Sequence, residues 1–237
     1  MGYGTDMIQK LIHGLEEKKQ PVHQSILAWS QDHPSRYVWR QPGSDAYHAL
    51  IGETLLEKLE KDPEKAYQGF IKRFPALDDV KKASAEQITE TIAALGPVQY
   101  REPLQKLIDE VAAKGAGGLP RDSDTIARIT GLEKQQIKAV FCFGYGLPVA
   151  VINEHVSRML TRLFAYSLPA HPAEGLIRAL ADGLLCYEDS LKYNGALLDI
   201  AELICRTDNP LCTGCPVKSV CDYVLHVPGM KLSYAEA

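Results

Sequence analysis

Four of the six cysteines crowd into one stretch near the C-terminus, spaced Cys205-x6-Cys212-x2-Cys215-x5-Cys221. The other two, Cys142 and Cys186, lie apart in apolar helical patterns and read as core residues. A disulfide scaffold spreads its cysteines through a short secreted chain, whereas one dense cluster in a chain of 237 residues points to metal. Four thiolates can close around a tetrahedral zinc or around a cubane iron–sulfur cluster. Zinc ribbons commonly use two C-x2-C pairs and only one occurs here, which favours iron and sulfide; zinc and unrelated buried thiols are the other readings. Cys205 ends an amphipathic pattern, and Pro210, Gly214 and Pro216 suit a compact loop carrying the remaining three.

That loop sits on a helical body. Apolar residues recur at three- and four-residue steps over 7–15, 24–29, 46–59, 64–74, 85–95, 104–113, 122–129, 134–143, 154–163, 173–185 and 191–203. Ser84 with Gln87 matches a capping box, and Pro34, Pro75, Gly96-Pro97 and the glycines at 115, 117 and 118 punctuate the pattern. No alternating pattern of useful length competes, so the expectation is an all-α chain of about ten helices. Pro42-Gly43 and Gly146-Leu147-Pro148 are the best hinges. They divide the chain into an expected helical domain over 44–150 and an outer domain made of 1–43 and 151–237. A hydrophobic content of 46% over this length supports two cores.

No apolar run approaches the ~20 residues needed to span a bilayer, and the first residues lack the basic and apolar segments of a signal peptide. A cytoplasmic protein with no membrane partner is expected. The net charge of −4 argues against indiscriminate DNA coating without excluding a nucleic-acid partner. Nothing in the sequence predicts an oligomer.

The cysteine spacing resembles that of the endonuclease III and MutY family of DNA glycosylases, the helix-hairpin-helix (HhH-GPD) enzymes that carry a [4Fe-4S] cluster. The run Tyr193-Asn194-Gly195-Ala196-Leu197-Leu198-Asp199 followed by Ile204-Cys205 is similar to the MutY arrangement. The resemblance extends from about Trp29 to Cys221. It implies two helical domains with a helix-hairpin-helix motif and a C-terminal cluster loop, the cluster being held by Cys205, Cys212, Cys215 and Cys221. It also implies base-excision repair of double-stranded DNA carrying a damaged or mismatched base, and nucleoid association through that DNA.

Further residues fit the resemblance one by one. Gly131-Leu132-Glu133-Lys134 lies between two helical patterns, as a hairpin that turns backbone N–H groups toward a DNA phosphate would. A plain helix–helix turn is the other reading of this segment. Gly131, Leu132 and Lys134 are the expected phosphate anchors. Gln135 stands where bifunctional members carry the lysine nucleophile, so hydrolysis without lyase chemistry is expected. Tyr100 and Arg101 follow the Gly96-Pro97 turn and are expected to contact the base or a phosphate.

Two residues are expected to do the chemistry. Asn153 closes Gly146-Leu147-Pro148-Val149-Ala150-Val151-Ile152 at the position where the superfamily has an aspartate that stabilises the oxocarbenium-like sugar. A unit charge about 4 Å from that cation supplies about 4 kcal/mol at an effective dielectric near 20, so its loss costs on the order of a thousandfold in rate. Asn153 is also a sound helix cap for 154–163. Glu53, within Leu50-Ile51-Gly52-Glu53-Thr54-Leu55-Leu56, resembles the MutY glutamate that protonates the departing base. An apolar pocket favours the neutral acid that such a role needs, and a glutamate on a solvated helix face is the alternative. The chain ends at Ala237, short of the additional domain with which MutY recognises 8-oxoguanine, so that substrate is not expected. The leading expectation is a monofunctional DNA glycosylase; the alternative is a catalytically impaired lesion- or structure-binding protein on the same scaffold.

Overall fold

The structure is a computed structural model that describes residues 5–58, 62–94, 104–110, 119–169 and 171–226. Every regular element among them is helical. In chain order these are α1 (Thr5–Asp32), a 3-10 turn (Val38–Arg40), α2 (Ala46–Lys58), α3 (Pro63–Arg73), α4 (Leu77–Lys82) and α5 (Ala85–Ala93). Helical residues 104–110 form α6. Next come α7 (Ser123–Thr130), α8 (Lys134–Ala139) running into a π-helical turn (Val140–Gly144), α9 (Glu154–Leu163) and α10 (Glu174–Gly183). Last are α11 (Ser190–Asp199) with its own π-helical turn (Ile200–Ile204), 3-10 turns at Cys212–Gly214 and Lys218–Val220, and α12 (Asp222–His226). No helix of the described residues is long and apolar enough to cross a membrane. The chain divides into two compact units, Tyr37–Leu147 and the pair Met1–Arg36 with Pro148–Ala237.

In the unit Tyr37–Leu147, α2 packs against α3, α8 and the first π-helical turn. Its core gathers Trp39, Leu50, Ile51, Leu55, Phe70, Ile92, Leu104, Ile126 and Ile137. The capping box at the start of α5 forms as the sequence requires, with Gln87 N–H on Ser84 Oγ at 3.3 Å and Ser84 N–H on Gln87 Oε1 at 3.1 Å. The short helix α4 has too few turns to show a period. It is set instead by Asp79, whose carboxylate accepts the Ala76 N–H at 2.9 Å.

In the other unit, α1 lies on α10 and α11, and α9 contacts α10, α11 and α12. The sequence pattern suggests two separate helical segments, 7–15 and 24–29, but α1 is continuous through Pro21. The reason is Lys18. Leu11, Gly14, Val22 and Ile26 form a buried stripe, and Lys18 fills the gap in it with a side chain only 12% exposed. Its ammonium donates to the Leu163 carbonyl at 2.6 Å, pairs with Asp222 and lies 5.0 Å from the Phe164 ring centre. A charged residue at a core position breaks the apolar periodicity while completing the packing.

Candidate active site

The hairpin is written locally. Asp122 caps α7 by accepting the Thr125 N–H at 2.7 Å, and Gly131 ends the helix in the left-handed conformation (φ 67°, ψ 18°). Only glycine takes that conformation without steric cost. Leu132 then turns inward. Its side chain is buried and its N–H donates to Thr130 Oγ1 at 3.1 Å, so Leu132 anchors the turn in the core. Glu133 adopts an ordinary extended conformation (φ −76°, ψ 160°), and its N–H donates to Gln136 Oε1 at 2.6 Å. Lys134 is exposed and Gln135 half-buried at the start of α8.

Glu53 lies in the same unit, on α2, and it is not in an apolar pocket. Only 5% exposed, its carboxylate accepts hydrogen bonds from Arg40 Nε at 2.6 Å, Arg40 Nη2 at 2.8 Å and Trp39 Nε1 at 3.1 Å. The run of aliphatic residues around it faces the core, while the carboxylate is turned to the 3-10 turn at Val38–Arg40. Trp39 reaches this position because residue 52 is glycine: a Cβ there would lie 2.2 Å from the indole. The Arg40 guanidinium is buried against the rings of Tyr37 (5.1 Å) and Phe143 (5.6 Å).

Asn153 lies in the other unit and caps α9, accepting the Val156 N–H on Oδ1 at 2.9 Å. It is exposed. The extended segment before it is stapled by the buried Asn194 of α11, which accepts the Val151 N–H at 2.9 Å and donates to the Val149 carbonyl at 3.1 Å. The same amide donates to the Ser190 carbonyl at 2.7 Å, so every polar atom of Asn194 is used to fix this approach to Asn153.

Cys205, Cys212, Cys215 and Cys221 line one cleft, together with Met159, Arg162, Leu163, Ile204, Val217 and Tyr223 among others. Among the described residues no group of three or more His, Cys, Asp or Glu is placed to hold a metal ion, so the thiols ring a cleft instead of meeting at a point. Burial pushes the Cys215 thiol up to about 12 and also raises Cys212 and Cys221, with neighbouring cysteines adding to each shift. Two arginines of α9 fasten the loop. Arg158 donates to the carbonyls of Cys205 and Ala201 at 2.9 and 3.0 Å. Arg162 donates to those of Cys205, Arg206 and Thr207 at 3.2, 2.6 and 2.9 Å, and its Nη1 is 3.4 Å from Cys205 Sγ.

No family model matches the chain. Among curated proteins it is 27% identical over 205 residues to the adenine DNA glycosylase of Buchnera aphidicola, covering 86% of this chain and 58% of that one. It is 26% identical over 210 residues to the human adenine DNA glycosylase, covering 83% and 38%. The thymine/uracil-DNA glycosylase of Methanothermobacter thermautotrophicus is 27% identical over 214 residues, 87% of this chain and 95% of that one. In structure, a thermostable thymine-DNA glycosylase superposes with a TM-score of 0.72 at 24% identity, over 90% of this chain and 99% of the other. An endonuclease III trapped as a covalent intermediate with DNA gives 0.63 at 18% identity, over 87% and 97%.

The chain is thus similar in sequence to adenine and thymine/uracil-DNA glycosylases, and it shares its fold with a thermostable thymine-DNA glycosylase and with endonuclease III. It spans little more than half the length of the Buchnera relative and less than half of the human one. Tyr100 and Arg101, expected to contact DNA, lie outside the described residues. Gly131, Lys134 and Gln135 come together at the hairpin, and the four cysteines at the cleft. Sequence reasoning missed Trp39 and Arg40 as the partners of Glu53, and Asn194 as the staple before Asn153. A tryptophan–arginine pair upstream of a glycine–glutamate pair is a usable signal for the first. For Asn194, the sign is an amide directly before the small and apolar run Gly195–Leu198.

Proposed function

We propose that the chain is a member of the helix-hairpin-helix DNA glycosylase superfamily, a monofunctional DNA N-glycosylase that flips a damaged or mismatched base from duplex DNA and hydrolyses its glycosidic bond. The observation that carries this reading is a buried carboxylate, Glu53, in the same compact unit as a hairpin whose glycine is in the left-handed conformation. The relatives named adenine and thymine/uracil-DNA glycosylases support it, as does the likeness to endonuclease III bound to DNA. Gly131, whose own N–H closes α7 on the Ala127 carbonyl at 2.8 Å, shapes the turn, and Lys134 offers the start of α8 and an ammonium to a phosphate, a sequence-independent grip. Glu53 protonates the departing base or activates water, and Asn153 orients water or the sugar without supplying charge. Gln135 cannot form a Schiff base, so the product is an intact abasic site.

The cysteine cleft fits a 4Fe-4S cluster better than a single zinc ion. Its thiols surround a space instead of converging on one point, and burial disfavours ionisation of Cys212, Cys215 and Cys221 until a cation sits beside them. When bound, the cluster supplies a rigid crosslink between the end of α11 and the loop through α12; base removal does not pass through it. Broad visible absorbance with iron and sulfide in the purified protein supports the assignment, and a colourless zinc protein overturns it.

The test of the activity is single-turnover base release from short duplexes carrying a panel of damaged and mismatched bases, with alkali added afterwards to cleave abasic sites. Strand breaks that appear only after alkali establish a monofunctional glycosylase. Tight duplex binding with no release at any base would mean a lesion-binding protein instead.

A further inference from the structure

Glu53 is surrounded by groups that only donate. Oε1 accepts from Trp39 Nε1 and Arg40 Nε, and Oε2 accepts from Arg40 Nη2. Neither a guanidinium nor an indole N–H can accept a proton from Glu53, and each of these bonds is stronger to an ionised carboxylate than to a neutral acid. An ionised carboxylate offers about four acceptor sites. Among the described residues three are filled, which leaves one lone pair on Oε2.

The donors themselves cannot easily turn away. Arg40 is 6% exposed and held between the Tyr37 and Phe143 rings, the latter carried by the π-helical turn that packs on α2. Trp39 is fully buried, with ring centres of Tyr37 and Tyr67 at 4.7 and 4.6 Å. Because position 153 holds a neutral amide, Glu53 is the only anion of the expected catalytic pair.

We infer that Arg40 is a positioning residue that keeps Glu53 a proton acceptor, so that the site favours bases that leave as anions, of the pyrimidine imide class, over purines that need a proton to leave. This rests on the glycosylase reading above. The C1′–N bond breaks with its electron pair going to the base, which departs as a ring anion. Water forms the new C1′–O bond, and its proton passes through the free lone pair of Glu53 Oε2 to the base anion. The sum is one water consumed, one neutral base and one abasic sugar released.

The test is single-turnover release by the full chain from duplexes carrying thymine, uracil or 5-fluorouracil opposite guanine, and adenine opposite guanine or 8-oxoguanine. For the wild type the rate climbs by about tenfold or more from thymine to the more acidic 5-fluorouracil, while adenine is slower than uracil by about a hundredfold. Arg40→Lys keeps the climb at a reduced rate. Arg40→Gln loses on the order of a hundredfold and flattens the series. Because Arg40→Gln strands a buried carboxylate and can unfold, the wild-type series and Arg40→Lys stand without it. Adenine released as fast as uracil, a flat wild-type series, or a folded Arg40→Gln that matches the wild type overturns the inference and leaves the glycosylase reading intact. No release from any duplex overturns both.

Discussion

Replacing Gly52 with alanine tests whether close backbone approach at one position holds the Glu53 constellation together. The added Cβ would stand 2.2 to 2.5 Å from three indole atoms of Trp39, about 1.2 Å short of the 3.4 Å at which ordinary contact begins. The indole has nowhere to go, being fully buried with Tyr37 and Tyr67 on it. A shift of that size would also take its 3.1 Å hydrogen bond to Glu53 beyond bonding range. Overpacking costs about 1–3 kcal/mol and a lost bond to a charged group about 1.5–3, so the combined loss is about 2.5–6 kcal/mol. At 2–4 °C per kcal/mol for a chain of this size, Tm falls by roughly 5–24 °C. The assay is thermal and urea unfolding, with the urea midpoint falling at unchanged slope. Gly175→Ala is the control: nothing lies within 4 Å of a Cβ there, so it is neutral or stabilising by about 0.5 kcal/mol. A Gly52→Ala protein that melts within a degree or two of the wild type would refute the argument.

Other expectations follow from single contacts. Asn153→Asp restores a charge while keeping the cap on Val156, so base release rises by on the order of a thousandfold at nearly unchanged Tm; unchanged release in the single-turnover assay rules this out. Lys18→Met strands Asp222, whose side chain is 8% exposed, and lowers stability by about 3–5 kcal/mol in urea unfolding. Tyr193→Phe is neutral or stabilising, because the Tyr193 hydroxyl is buried with no hydrogen-bond partner among the described residues; a clear drop in Tm contradicts that. Burial raises the phenols of Tyr47, Tyr67 (to about 12) and Tyr193 in the folded state. The unfolded chain releases those protons first, so this part of the stability is intact below about pH 10 and is lost as pH rises above it. Urea midpoints measured from pH 8 to 11 should fall at the alkaline end, less steeply in Tyr193→Phe.

What the sequence by itself determined is what a few neighbouring residues decide among themselves. The hairpin is of this kind: Asp122 caps α7, Gly131 ends it, and every group involved lies within a turn or two. So are the box at Ser84 and Gln87, the cap at Asn153, and the cysteine spacing. Backbone donors at helix ends must find partners nearby, and short side chains at fixed offsets supply them.

Tertiary structure alone decided which polar residues are buried and with whom. Lys18 became a core residue because Asp222, distant by 204 positions, meets it there, and a charge at that core position is why the apolar pattern of the continuous helix α1 reads as two segments. Glu53 lost its apolar pocket because Trp39 folds over Gly52 and brings Arg40 with it. Asn194 fixes the approach to Asn153 from over forty positions away. The physical reason is common to all three. A buried charge or amide is tolerated only with its partner in place, and the partner's position depends on how the whole chain packs.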